Sequence, residues 1–292
     1  MQNDKQTTSP EASEEQPFLS VIIPVYNDNK GLKTCLESLQ HQTYPDDRFE
    51  IIVVDNGSIE NVLSVTDLFG NVILLFETEI KSSYAARNKG IAGAKGDIYV
   101  FIDSDCRAAK NWLEKGTEKL TDEGCDMIGG KVAFDISGHP TAAEYYDAVH
   151  NFQFDKKIER GTCGAGNTFI ERRVFDTIGL WPSQVQSGGD VFFSKKATES
   201  GFSLVYAPEA VVYHPARRFG ELIKKTFRVG MGKAAIKRIS RETIGDKKIK
   251  TVQSGGIVNL LSPAALRQRI QQKGYPVSPV MFWRIWAAGF CI

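Results

Sequence analysis

Cysteine is scarce in this chain of 292 residues, and its pattern excludes two kinds of scaffold. The five cysteines are odd in number, and no two of them have the C-x-x-C spacing. A disulfide framework and a structural zinc site are therefore not expected. The pattern fits a reducing compartment, and we predict a cytosolic protein.

Long apolar segments are also missing. Residues 1–16 are polar and acidic and lack the apolar centre of a secretory signal, so residues 1–17 are expected to form a loose tail. No stretch reaches the roughly 20 apolar residues that span a bilayer. The terminal segment 279–292 comes nearest. It is too short and carries Arg284, but its two tryptophans suit a membrane interface.

Charge is distributed unevenly behind the formal net charge of +1. Residues 1–216 carry 20 Lys and Arg against 32 Asp and Glu, whereas residues 217–292 carry 16 against 3. An acidic body whose basic run is not interleaved with aromatic residues argues against nucleic-acid binding. The basic segment suits anionic lipid headgroups or a phosphorylated acceptor, and a solvated charged face is the alternative.

Apolar runs that alternate with amphipathic segments predict an α/β fold with a doubly wound, mainly parallel sheet and helices on both faces. The predicted strands lie within residues 18–27, 49–58, 71–76, 97–106 and 125–134, and helical patterns cover residues 29–42, 82–96 and 109–124. Beyond them we predict one helix over 141–160, two short strands over 202–215, a basic helix over 221–241 interrupted by Gly230 and Gly232, a linker over 242–262 and a surface helix over 263–274.

Polar residues end the first, second and fourth strands, namely Asn27, Asp55, and the pair Asp103 and Asp105. Ligands of open α/β sheets bind outside the carboxyl ends of the strands, so these side chains are expected to converge on one cleft. Two carboxylates one residue apart repel each other unless a cation such as Mg²⁺ or Mn²⁺ compensates. At the pair Asp103 and Asp105 the alternative is a strand end that turns on Asp and Ser. At Asp55 the alternative is a residue of an Asx-turn.

Further candidates lie in the second half of the chain. Gly161, Gly164 and Gly166 allow a ligand to approach the backbone around Asn167, or they form a bulged strand. Asp190 begins an amphipathic helix, where a plain N-cap is the alternative. A histidine at the end of a strand is usually structural, but His214 falls in the region of the aspartates.

Five separated motifs, in this order, resemble family 2 glycosyltransferases of the GT-A fold. They are VIIPVYN at 21–27, EIIVVDNGS at 50–58, YAARNKGIAGAKGDIYVFIDSDC at 84–106, GAGNTFIERRVF at 164–175 and GGDVFFSKKATESGFSLVYAPEAVVYH at 188–214. The resemblance covers about residues 18–240. It implies a nucleotide-sugar-binding half at 18–130, an acceptor half at 131–240, and a C-terminal helical extension at 241–292 that contacts a membrane.

The resemblance implies a nucleotide-sugar donor and places residues around it. The expected donor-binding residues are Pro24, Tyr26, Asn27, Asp55, Ser58, Arg87, Ser104, Asn167, Lys224 and Arg228. For Lys224 and Arg228, one helical turn apart, a solvated basic face is the alternative. A uracil imide N–H suits a carboxylate such as Asp55, so UDP is the first choice and GDP the second.

The resemblance also implies the reactive groups. Asp103, Asp105 and His214 would bind Mg²⁺ or Mn²⁺, and Asp190 would be the base of an inverting displacement. Family members usually carry Glu before this base, whereas Gly189 stands here. Because that Glu often contacts the acceptor, the departure affects the expected placement of the acceptor more than the chemistry.

Processive members carry a Q-x-x-R-W segment and several spanning helices, and neither occurs here. We therefore predict a single-addition transferase that uses UDP-glucose or a similar UDP-hexose. Its acceptor would be a glycan or a lipid-linked saccharide of polysaccharide or glycolipid biosynthesis, at the inner face of the cell membrane.

Two other functions compete with this prediction. A sugar nucleotidyltransferase needs a glycine-rich loop after the first strand, and VIIPVYNDN has none. A nucleotide-sugar- or glycan-binding module without catalysis would not need Asp190.

Overall fold

A computed structural model describes residues 16–244 and 262–291 of the chain. Its strands are β1 (Leu19–Val25), β2 (Phe49–Asp55), β3 (Val72–Phe76), β4 (Ile98–Ile102), β5 (Arg107–Ala108), β6 (Met127–Asp135), β7 (Asn167–Glu171) and β8 (Leu204–Pro215). Its helices are α1 (Asn29–Leu39), α2 (Leu63–Thr66), α3 (Ser83–Gly93), α4 (Trp112–Asp122), α5 (Ala142–His150), α6 (Phe154–Ile158), α7 (Arg172–Ile178), α8 (Gly189–Glu199), α9 (Phe219–Ile244), α10 (Pro263–Lys273) and α11 (Pro279–Cys291), with a 3₁₀ turn at Asp46–Arg48.

The strands form one mixed sheet in the order β3-β2-β1-β4-β7-β6-β8-β5. β1 is parallel to β2 and β4, and β2 is parallel to β3, so the carboxyl ends of these four strands meet at one edge. β7 is antiparallel to both of its neighbours. The predicted α/β sheet is confirmed: its first four strands are parallel to one another, and β6 is parallel to β8.

The sheet has a hydrophobic core on each face. All seven residues of β1 are buried. Val21 and Ile23 pack with α1 and α4 on one face, and Ile22 packs with α3, α7 and α8 on the other. Because side chains alternate along a strand, a strand covered on both faces must be apolar at every position. This explains the continuous apolar runs of the sequence.

Two predicted elements in the second half are wrong in detail. The helix predicted over residues 141–160 is split into α5 and α6, because Phe152 has a φ of +50° and cannot continue a right-handed helix. The two strands predicted over 202–215 are a single strand, β8, whose pairing with β6 shifts register between Gly130 and Lys131. Pro208 lies in the shifted stretch, where it has no N–H to donate.

The C-terminal helices also differ from the prediction. α9 is continuous through Gly230 and Gly232, and it crosses the boundary predicted at residue 240. Gly232 is buried against the Ser187 carbonyl group, where a Cβ would overlap. α10 is not a plain surface helix, because Leu266 and Ile270 are buried in a cluster with α5 and α11. Residues 245–261 of the predicted linker lie outside the described residues.

Among the described residues, no helix is both long enough and apolar enough to cross a membrane. The cysteines at positions 35, 106, 125 and 163 are free thiols, all of them buried.

Gly116 on α4 provides a test of the core. It lies against the ring of Phe169 in β7, and a Cβ at this position would overlap the ring. Phe169 is fully buried and packs edge-on against Trp112, with 5.3 Å between the ring centroids, so the ring has little room to move. We expect Gly116→Ala to lower the free energy of unfolding by about 1–3 kcal/mol in urea denaturation. Gly70→Ala, where nothing lies within 4 Å, is the matched control and should change it by less than about 0.5 kcal/mol.

Candidate active site

The loops that follow β1 and β2 are joined by hydrogen bonds. The Asn27 N–H donates to Ser58 Oγ at 2.9 Å, and the Ile59 N–H donates to Asn27 Oδ1 at 2.7 Å. The φ of Asn27 is +51°, a left-handed conformation that asparagine tolerates better than most residues. Asp55 Oδ1 accepts from the Ser58 N–H at 2.9 Å, so the predicted turn at Asp55 is present.

An aromatic ring lies beside these loops. Tyr26 is 51% exposed, which is unusual for a residue that directly follows a buried strand. The Lys81 ammonium lies 5.6 Å from the centre of its ring. Pro24, by contrast, lies inside β1 opposite Val54 and is buried. The ring of Tyr26 is therefore the accessible part of this segment.

Asp28 is a site residue that sequence reasoning missed. It caps α1 by accepting from the Gly31 N–H at 3.0 Å, and it accepts from Ser104 Oγ at 3.3 Å. Burial raises the pKa of Asp28, and the nearby charge of Asp105 raises it further. The signal in the sequence was the Asp at a helix start, which reads first as an N-cap. Through Ser104, Asp28 connects the end of β1 to the aspartate pair.

Asp103 is paired with a buried arginine. Arg87 on α3 is 4% exposed, and its Nη2 donates to Asp103 Oδ1. The guanidinium lies 5.7 Å from the ring centre of Trp181. Asp103 and Arg87 were predicted to contact the metal and the donor separately. The structure joins them to each other.

Asp105 faces a fully buried histidine. His214 Nδ1 lies 2.6 Å from the Pro215 carbonyl oxygen, so Nδ1 carries the proton and Nε2 has the lone pair. Burial lowers the pKa of His214, which keeps the ring neutral. Nε2 lies 3.3 Å from Asp105 Oδ2. The Nε2 lone pair faces this carboxylate oxygen and, in this structure, accepts from Arg217 Nη2 at 2.6 Å.

This pair fits a divalent cation. Asp105, Cys106 and His214 each bring one ligand atom within 4.8 Å of the others. Burial raises the pKa of the Cys106 thiol well above its usual range, so the sulfur is protonated and a poor ligand. A carboxylate and a neutral imidazole remain, and the imidazole would bind an ion only after Arg217 Nη2 leaves Nε2. This donor set suits Mn²⁺, and it suits Mg²⁺ through its oxygen atoms.

A second group of charges lies next to His214. Arg217 Nη2 is 2.6 Å from His214 Nε2, and Nη1 is 3.5 Å from Asp147 Oδ2. Asp147 is fully buried and also lies 3.6 Å from the Lys225 ammonium. Burial lowers the pKa of Lys225 to about 8, and the Arg217 charge contributes. Arg217 could be suspected from its place three residues after His214, but nothing local in the sequence marks Asp147.

Lys224 and Arg228, which were predicted to grip a diphosphate, are exposed on α9. Lys225 is the residue of this segment whose ammonium reaches the charges beside His214. The one-turn spacing pointed to Lys224 and Arg228. It did not point to Lys225, whose side chain is largely buried.

Asp190 lies at the N-terminus of α8 and is held by three donors. Tyr84 Oη donates to Asp190 Oδ1 at 2.9 Å, as does the Val191 N–H at 2.9 Å. The Ala165 N–H donates to Oδ2 at 3.1 Å. Burial raises the pKa of Tyr84, and the Asp190 charge adds to the effect, so the phenol stays protonated and donates. The helix N-terminus also favours a negative charge.

One helix and one glycine-containing loop bring Asp190 and Asp103 into the same site. Tyr84 and Arg87 are three residues apart on α3, and they bind Asp190 and Asp103 respectively. A Cβ at Gly166 would lie 2.8 Å from Asp103 Oδ2, and one at Gly164 would lie 3.4 Å from Asp190 Oδ2. Both carboxylates thus approach the backbone of this loop closely, as the glycines allow.

Asn167 has a different place from the one predicted. It is fully buried, and its Oδ1 accepts from Trp112 Nε1 at 2.9 Å. Its Nδ2 donates to the carbonyl oxygens of Lys131 at 3.0 Å and Ala210 at 2.9 Å. The side chain joins β7 to the strand pair beside it and does not reach the surface of the cleft.

The Tyr84 hydroxyl is expected to position Asp190. We predict that Tyr84→Phe lowers kcat of sugar transfer by about tenfold, the order expected for loss of one hydrogen bond to a charged group. The KM for the donor should stay the same, because the lost contact is the one to Asp190. Tyr44→Phe removes another buried phenol, which donates to the Pro17 carbonyl, and should change neither quantity.

Sequence comparisons give a family and relatives. The profile of the family described as Glycosyl transferase family 2 matches residues 20–179. Glycosyltransferase AglE of Haloferax volcanii is 38% identical over 282 residues, which cover 94% of this chain and 92% of the relative. Glycosyltransferase GlyG of Streptococcus pneumoniae is 34% identical over 117 residues, which cover 39% of this chain and 38% of the relative.

Solved structures share the fold. The crystal structure of Staphylococcus aureus TarS has a TM-score of 0.56 at 21% identity, and the match covers 68% of this chain and 36% of that chain. A TarS 1–349 complex with UDP-GlcNAc has a TM-score of 0.56 at 22% identity and covers 69% and 59%. Mannosyltransferase PcManGT from Pyrobaculum calidifontis, in complex with GDP-Man and Mn²⁺, has a TM-score of 0.54 at 18% identity and covers 94% and 69%. The predicted GT-A fold is confirmed.

Proposed function

Because this chain belongs to glycosyl transferase family 2, we propose that it transfers a hexose from a UDP-sugar such as UDP-glucose to a hydroxyl group of a glycan or lipid-linked acceptor. One observation carries the proposal. α3 and the loop that precedes β7 hold the Asp190 carboxylate in the same site as Asp103 and the candidate cation-binding pair of Asp105 and His214. A transferase needs a base for the acceptor and a place for the donor diphosphate in one cleft.

Asp190 is the proposed base. Its oxygens accept from Tyr84 and Ala165, and these hydrogen bonds hold the carboxylate at the N-terminus of α8 before any substrate binds. A hydroxyl becomes acidic as its oxygen bonds to the anomeric carbon, so a carboxylate suffices to take the proton in the transition state. Attack from the face opposite the leaving group then inverts the configuration at that carbon.

The donor nucleoside is proposed to lie against the ends of β1 and β2. The exposed ring of Tyr26 offers a surface on which a base can stack. Asp55, in its turn with Ser58, offers a carboxylate to a base N–H, and Asn27 orders the loop between them. A uracil N–H fits this acceptor, and guanine is the second choice. Solved neighbours of this fold include complexes with UDP-GlcNAc and with GDP-Man, which supports a nucleotide-sugar donor of either base.

Asp105 and His214 are proposed to hold Mg²⁺ or Mn²⁺. When bound, such an ion neutralises the charge that develops on the departing nucleoside diphosphate. Arg87 donates to Asp103 and holds its side chain, and Ser104 is held by Asp28. Arg217, which donates to His214 Nε2 in this structure, would move off that atom when the imidazole binds the ion.

The remaining features of the proposal concern the acceptor and the location. We infer a donor half at residues 18–130, an acceptor half at 131–240 and an extension at 241–292. The acceptor would belong to polysaccharide or glycolipid biosynthesis in the cytosol, and one sugar would be added per encounter. Gly189, which stands where the family usually has Glu, is buried, and a Cβ there would lie 3.0 Å from the Tyr84 ring, so the acceptor would be placed by other residues.

A thermal-shift screen tests the donor. Nucleotide sugars are added with and without Mn²⁺, because a ligand that binds only the folded state raises the melting temperature by mass action. We expect a UDP-hexose to give the largest Mn²⁺-dependent shift, followed by release of UDP when acceptor is added. A GDP-sugar response without any UDP-sugar response would overturn the choice of base. No response to any nucleotide sugar would overturn the proposed function.

A further inference from the structure

The outward face of α9 is apolar, although nothing within the described part of the chain covers it. Its inner side carries Leu222 and Gly232, both buried. Phe219, Ile223, Phe227 and Met231 are exposed at intervals of four residues, and Phe227 is 69% exposed. With 3.6 residues per turn, these four side chains form a stripe opposite the buried side.

Basic side chains flank this stripe on both sides. Lys224 and Arg228 fall on one flank, Lys233 and Lys237 fall on the other, and all four are exposed. Arg238 ends the stripe. The only acidic residue between positions 219 and 239 is Glu221, in the first turn. An apolar stripe between two rows of long cationic side chains is the pattern of a helix that lies in a membrane interface.

α11 presents a second exposed apolar surface of the same character. Val280, Trp283 and Phe290 are exposed, while Phe282 and Ile285 are buried against α5 and α10. Arg284 is exposed next to Trp283. Tryptophan is enriched at the level of the lipid headgroups, where its ring is partly buried and its N–H stays in a polar layer.

The charge of this region indicates what kind of partner covers the apolar stripe. Residues 217–292 carry 16 Lys and Arg against 3 Asp and Glu. A second copy of the chain would bring the same cations against themselves, which is unfavourable. An anionic bilayer supplies both an apolar boundary and complementary charge.

We propose that α9 and the outer side of α11 bind the surface of an anionic membrane. The stripe formed by Phe219, Ile223, Phe227 and Met231 enters the boundary between headgroups and acyl chains, and the flanking cations contact the headgroups. α9 begins five residues after His214, so the membrane lies next to the cleft. If the proposed function holds, a lipid-linked acceptor reaches Asp190 from that side. The binding itself is measured without donor or acceptor and does not rest on the proposed function.

Vesicle co-sedimentation of the full chain tests the proposal. The vesicles consist of phosphatidylcholine alone or of phosphatidylcholine mixed with phosphatidylglycerol. We expect binding to the anionic vesicles, at least tenfold weaker binding to neutral ones, and weaker binding as salt screens the charges. The double variants Phe227→Ser/Met231→Ser and Lys233→Gln/Lys237→Gln should each weaken anionic-vesicle binding by about tenfold or more.

Leu68→Ser is the matched control. Leu68 is 63% exposed in the turn between α2 and β3, so its loss removes a comparable apolar side chain from another face. It should leave vesicle binding unchanged, and all variants should keep the melting temperature of the parent chain. The proposal is overturned if the full chain stays in the supernatant with both vesicles, or if the Phe227→Ser/Met231→Ser variant sediments like the parent. It is also overturned if that variant instead converts a dimer to a monomer in light scattering, because a second copy then covers the stripe.

Discussion

Asp190→Asn is expected to lower the rate of sugar transfer by about 100- to 10,000-fold, the range that general-base catalysis contributes. The amide keeps the size of the side chain but cannot take a proton from the acceptor. The effect is measured as release of nucleoside diphosphate in the presence of acceptor. Donor affinity should change little, because Asp190 lies on α8 and the proposed nucleoside site lies at the ends of β1 and β2.

The amide also presents N–H groups where Asp190 accepts from Tyr84 and Ala165. Because two donors then face each other, the side chain of this variant is expected to shift. Tyr84→Phe removes one of these donors and leaves the base, and it therefore separates position from chemistry. A large loss in Asp190→Asn beside a small loss in Tyr84→Phe identifies the base. Transfer at the parent rate in Asp190→Asn contradicts the mechanism and supports a different base or a site without catalysis.

Asp105→Asn is expected to abolish the effect of Mn²⁺ on donor binding and to slow transfer by about 30- to 1,000-fold, corresponding to roughly 2–4 kcal/mol of lost stabilisation. The amide is neutral and a weaker ligand than the carboxylate that faces His214 Nε2 at 3.3 Å. Without metal the variant should be as stable as the parent chain or more stable, because it removes the repulsion between Asp105 and the nearby Asp28 carboxylate.

Two melting curves and one titration check this prediction. The parent chain and Asp105→Asn are heated without ligand, and the donor is then titrated at fixed Mn²⁺ and again with a chelator. Asp122→Asn removes a negative charge from the exposed end of α4 and serves as control. A donor response to Mn²⁺ that survives in Asp105→Asn would place the ion elsewhere.

The strands β1, β2 and β4 could be predicted because each leaves a signal within its own stretch of sequence. β1, β2 and β4 are buried on both faces, and a run of apolar residues records that directly. The second half is different, because its breaks depend on single residues. The left-handed Phe152 and the register shift beside Gly130 have no periodic signal. Gly232 looked like a helix interruption, whereas it is a close contact with Ser187.

The candidate site shows the same division. The ends of the strands could be located in the sequence, and they predicted where Asp55, Asp103 and Asp105 would lie. The carboxyl ends of parallel strands meet at one edge of the sheet. Their partners come from distant segments. Tyr84 and Asp190 are 106 residues apart, and Asp147 and Arg217 are 70 apart. Asn167 was predicted to bind a ligand, but the hydrogen bond from Trp112 that turns it into the core spans 55 residues. Such pairings are set by packing and leave no local pattern.

The most direct measurement compares donor binding and sugar transfer in the same three proteins, namely the parent chain, Asp190→Asn and Asp105→Asn. Binding of the UDP-sugar is titrated with Mn²⁺ in the absence of acceptor, and transfer is followed when acceptor is added. We predict that Asp190→Asn binds like the parent and fails to transfer, while Asp105→Asn loses both Mn²⁺-dependent binding and transfer. Equal loss of binding in both variants, or transfer without Asp190, would contradict a site in which one carboxylate holds the metal and another takes the proton.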